Sequence, residues 1–154
     1  LQGVVCGIAS RLTREGLELP SLVIAGGFAT EDQVFKALAL GAPHFQAVGL
    51  CRAAMAAANS AKKVGELIEA GTIPAHLKKF GDSREALFAD LPDLRHLYGK
   101  EADSFSAGAI GVFSYLNRIA LGLRHFAALN RKFDVNLLGP DDLIPLTREA
   151  GELR

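Results

Sequence analysis

Cysteine is scarce in this chain of 154 residues: only Cys6 and Cys51 occur, so neither a disulfide framework nor a centre held by three or four thiolates can be built from it. An excess of charge of one sign is also lacking. Seventeen basic residues face seventeen acidic ones, for a formal net charge of zero. That balance offers no electrostatic footprint for nucleic acid or for an anionic membrane surface, and neither is expected as a partner. Long apolar runs are missing as well. The longest uncharged stretches, residues 37–51 and 104–117, are shorter than a membrane span and are interrupted by Gly, Pro or Ser. No basic segment followed by an apolar core opens the chain, which starts at Leu1 rather than Met. A secretory signal is therefore not expected, and the sequence reads as a piece cut from a cytoplasmic protein. Metal-ligand spacing is absent too, since His76, His96 and His125 share no register with each other or with paired carboxylates, and no metal is expected. What is present is ordinary globular chemistry, 49% apolar and 22% charged. At this length a fold buries about 70% of the surface that its unfolded chain exposes, without needing a staple.

The order of elements carries more information. Val4, Val5, Ile8 and Leu12 recur at helical spacing over residues 1–15, ahead of Gly16, which predicts an amphipathic helix stopped by glycine. The run Leu22-Val23-Ile24-Ala25, ended by Gly26-Gly27, has the unbroken apolar character of a parallel strand covered on both faces. Thr30-Glu31-Asp32-Gln33 has the spacing of a capping box and an acidic first turn, and starts a helix that Gly41 ends. Phe45-Gln46-Ala47-Val48 is a second short strand, closed by Gly49, and an alanine-rich helix follows from Arg52. Beyond about residue 60 only helices are expected, over residues 62–70, 74–80 and 84–98. A long one then follows from the stripe Ile110, Phe113, Leu116, Ile119, Leu123 and Phe126, ending near Asp134. Gly139-Pro140-Asp141-Asp142 reads as a turn into a last short helix, with the two carboxylates as helix-start charge.

Two strand-to-helix junctions are the candidate site: Gly26-Gly27 before Thr30, and Gly49-Leu50-Cys51-Arg52. Unpaired amides at a helix start and the positive end of its dipole attract anions, and glycine lets an oxygen approach closely. Arg52 adds a fork for a phosphate oxygen. The plainer alternative is that the glycines only make tight turns and Arg52 is a solvated helix residue. Two such junctions in succession match the phosphate-holding end of an eight-stranded α/β barrel, so the fold class expected is α/β, the last two βα units of a TIM (β/α)8 barrel followed by a mostly helical extension. The expected divisions are 1–60 for the barrel units, 61–105 for a helical connection and 106–154 for the extension. Cys51 is expected as a small buried residue at a helix start, Cys6 in the core, and His44 in a structural or solvent-facing role.

The stretch Leu22-Val23-Ile24-Ala25-Gly26-Gly27, Thr30, Gln33-Val34, Lys36 to Ala42, Val48-Gly49 and Arg52-Ala53-Ala54-Met55 resembles the end of the FMN-binding barrel of the glutamate synthase family. Residues 117–151, with Leu121, Leu129, Leu138, Asp142-Leu143 and Leu146-Thr147, are similar to the helical extension of its stand-alone, archaeal-type members. The resemblance implies FMN as cofactor, with Gly26, Gly27, Gly49, Leu50, Cys51 and Arg52 around its phosphate. It also implies an oxidoreductase that forms glutamate from 2-oxoglutarate and ammonia-derived nitrogen. Gln33 stands where the family has an acidic residue and Cys51 where it has glycine, and residues 56–81 lack the cysteines that hold an iron–sulfur centre.

A full barrel needs about 250 residues, so this chain is expected to be catalytically incomplete and to depend on the rest of the barrel, from the same gene product or a companion chain. Open strand edges make self-association a further expectation. Two other functions remain open: a non-catalytic helical interaction module that keeps a barrel remnant, and part of another phosphate-binding barrel enzyme.

Overall fold

The computed structural model describes residues 1–152, and in it the chain is 64% helical with two short strands. In chain order the elements are α1 (Gln2–Arg14), β1 (Leu22–Ala25), α2 (Glu31–Gly41), β2 (Phe45–Gly49), α3 (Arg52–Glu69), α4 (Ala75–Lys78), α5 (Arg84–Leu87), α6 (Leu91–Tyr98), α7 (Ala107–Leu129) and α8 (Arg148–Gly151). Three 3-10 turns, Gly99–Ser104, Val135–Leu137 and Pro140–Asp142, complete the set. Among the described residues the expected last two βα units of a TIM barrel are not evident: this is an α-rich fold with one two-stranded sheet. The two strands do lie parallel, pairing Val23 with Ala47, Ile24 with Val48 and Ala25 with Gly49. Parallel pairing with an intervening helix is local, however, and does not make a barrel. β1 also fails to bury both faces. Its residues alternate between half-buried and exposed, and Val23 is 58% exposed.

The chain divides into two compact units. Unit 1 is residues 1–50 together with 119–154, and unit 2 is residues 51–118, the boundary falling within α7. The divisions expected near residues 60 and 105 both lie inside unit 2.

In unit 1, α2 supplies the core because its apolar residues fall on one face. Phe35 and Ala39 are buried with Ala127 and Leu138, and the Phe35 and Phe126 rings stand 5.3 Å apart. α1 is tied to α2 by the Gln2 side-chain amide, which donates to the Ala37 carbonyl at 2.7 Å. The capping expected at α2 forms differently: Gln33 accepts the Ala29 amide at 2.9 Å, and the Thr30 hydroxyl donates to Asp32 rather than capping the helix. A Lys36 ammonium 2.8 Å from Asp32, together with that hydroxyl, holds the Asp32 carboxyl down to about 2. After α7 the chain is locked by Asp142, which accepts from Lys132 at 2.7 Å and from the Gly139 amide at 2.8 Å. Asp141-Asp142 thus starts a 3-10 turn, and the last helix begins only at Arg148.

In unit 2, α3 is a single helix from Arg52 to Glu69 rather than two. It stops at Gly71, whose φ of 64° is left-handed, and the Thr72 amide reaches back to Leu67 O at 3.1 Å. Small residues let α3 and the first half of α7 approach closely. A Cβ on Gly111 would sit 2.3 Å from Ala61 Cβ, and one on Gly65 would sit 2.6 Å from Ala107 Cβ. The core is Phe88, Leu91, Leu94, Ala102 and Ile110. The helix expected over 84–98 is broken into α5 and α6. Pro92 has no amide to donate, and it takes a position in the first turn of a new helix, where none is needed.

Candidate functional site

Gly26 and Gly27 follow β1, and Gly49 ends β2 opposite Ala25. Both junctions therefore leave the same end of the parallel pair. Gly27 has φ 78°, a left-handed backbone that favours glycine, and the space where a Gly26 Cβ would sit is open. Neither glycine is buried. They line a shallow depression of about 310 Å³ together with Gln33 and Lys36. Gly49 and Leu50 are not among the residues lining it.

Gly49 has a second reason to be glycine. A Cβ there would stand 3.1 Å from Ala25 Cβ, so its absence serves the close approach of the two strands. Leu50 is half-buried and closes unit 1, while Cys51 and Arg52 open unit 2. Cys51, expected to be buried, is exposed, with its Sγ 4.0 Å from Met55 Sδ. Arg52 is exposed at the first position of α3. That helix carries no side-chain cap and no acidic residue in its first turn, the condition in which a helix start favours an anion. The start of α2 differs, for Glu31 and Asp32 occupy its first turn and compete with any incoming anion.

Taken separately, the glycine loop after β1 in unit 1 is open to the approach of a phosphate oxygen, and in unit 2 the uncapped start of α3, with Arg52 beside it, is the kind of helix start that attracts an anion.

Two other singled-out residues, His44 and Cys6, make structural contacts. His44 Nε2 lies 2.8 Å from Ser10 Oγ and joins α1 to the loop after α2. Spacing could not have revealed that pair, which is 34 residues apart. Cys6 is half-buried against the carbonyls of Leu40 and Gly41, and burial pushes its thiol up. Among the described residues no cluster of His, Cys, Asp or Glu could hold a metal, and no helix is long and apolar enough to cross a membrane. No family model matches the chain, and neither a curated protein nor a solved structure matches it.

Proposed function

We propose that this chain is the cofactor-phosphate-holding part of an FMN-dependent oxidoreductase of glutamate synthase type, incomplete as an enzyme by itself. The single observation that supports it most is the pairing of Ala25 with Gly49, which brings two glycine-bearing strand ends out on the same side. The uncapped start of α3 at Arg52 supports it further. FMN, when bound, supplies hydride and electron transfer. The residues of this chain would contribute binding, Gly26, Gly27, Gly49 and Leu50 through backbone amides of unit 1, and Cys51 and Arg52 at the start of α3 in unit 2. The resemblance in residues 17–58 supplies the reaction class, glutamate formation from 2-oxoglutarate. A companion polypeptide, or the rest of a longer chain, would cover the flavin ring, and a cytoplasmic setting accompanies this reading.

Flavin-fluorescence titration of the protein together with its completing polypeptide tests the proposal. Arg52→Ala removes a charge-assisted hydrogen bond and is expected to weaken FMN binding by about ten- to a hundredfold. Arg52→Lys should recover only part, since a point charge replaces a planar fork. Unchanged FMN affinity in Arg52→Ala and in Gly26→Val would show that the junctions are turns only.

A second reading, a non-catalytic helical interaction module, draws on the exposed apolar side chains of the tail, where Phe133, Ile144 and Leu146 are 90%, 85% and 92% exposed. A colourless complex that binds its partner with full affinity and never takes up FMN would favour it.

A further inference from the structure

We draw no further inference here: the strongest candidate, the exposed apolar face of α1 in unit 1, where Val4 and Ile8 border a hollow with Leu12, carries nothing because nothing in the structure shows what covers it.

Discussion

The two units handle apolar surface differently. Unit 2 closes a core of its own: Leu91 and Ile110 are almost wholly inaccessible, and Gly65, Gly108 and Gly111 let α3 and the first half of α7 meet backbone to backbone. Unit 1 leaves far more uncovered. Of the seventeen large apolar side chains exposed among the described residues, twelve belong to unit 1, including Val4 and Ile8 on α1, Val23 on β1 and most of the tail. A two-stranded sheet is too small to be stable alone, and both of its outer edges are unpaired. These exposed side chains lie mainly on α1 and in the tail, with Val23 on the sheet, and single exposed apolar residues need no special explanation. Unit 2 thus has the better covered core of the two, and unit 1 leaves more apolar surface exposed.

The sharpest way to break this contrast is to attack the core of unit 2. Leu91 is 1% exposed, and Leu91→Ala removes its buried methyl groups and leaves a cavity. A loss of about 2–5 kcal/mol is expected in chemical denaturation. A loss below about 1 kcal/mol would mean that unit 2 has no tightly packed core. Gly111→Ala comes next. Its new methyl would stand 2.3 Å from Ala61 Cβ and 2.8 Å from the Ala57 carbonyl, both on a helix that must move to admit it. Overpacking of this kind costs about 1–3 kcal/mol, and hydrogen exchange should speed up at the amides of α3. Gly7→Ala, in unit 1, meets nothing within 4 Å and should raise stability slightly by helix propensity.

A smaller effect is expected at a shielded carboxylate of unit 1, Asp142. The Asp142 side chain is only 6% exposed. Burial works against its charge, but the Lys132 ammonium and the Gly139 amide outweigh that and hold its carboxyl below the usual range. Because the folded value is depressed, the stabilisation is fully present above the unfolded value of about 4 and is lost as pH falls through and below it. Lys132→Met should therefore destabilise the chain by about 1–2 kcal/mol at neutral pH, with the gap to the parent closing in melts taken below about pH 4. A gap that stays constant across that range would assign the effect to packing of the lysine stem.

The contrast between the units also marks what could be read from sequence. Both strands were legible because Leu22 to Ala25 and Phe45 to Val48 are apolar runs ended by glycine, and α2 because its apolar residues keep helical period. Their parallel pairing followed from the helix between them. The barrel did not follow, since two βα segments carry no information about strands the chain does not contain, and an apolar run does not say whether both faces are covered. Val23 looks identical in sequence whether buried or 58% exposed. The site was legible only as glycines at strand ends. Spacing could not show that Gly49 is also required for the approach to Ala25, nor that Arg84, 19 residues from Asp103 in sequence, donates to its carbonyl.

The smallest expected effect on the isolated chain is the most informative about unit 1. Ile8 is 55% exposed on α1, where it borders a hollow with Val4 and Leu12, and Val23 is 58% exposed on the sheet. If these side chains only face water, replacing them with polar residues of similar size should change stability by no more than about 0.5 kcal/mol. Ile8→Gln and Val23→Thr are therefore expected to melt like the parent when the chain is alone. Against the completing polypeptide the result should reverse, because each side chain would then lose burial worth roughly 1.5–3 kcal/mol, about ten- to a hundredfold in affinity. Isothermal titration of the chain with that polypeptide reads both numbers from the same variants. Equal binding by parent and variants would leave the exposed surface of unit 1 without an occupant, and the difference between the units would then be one of packing quality alone.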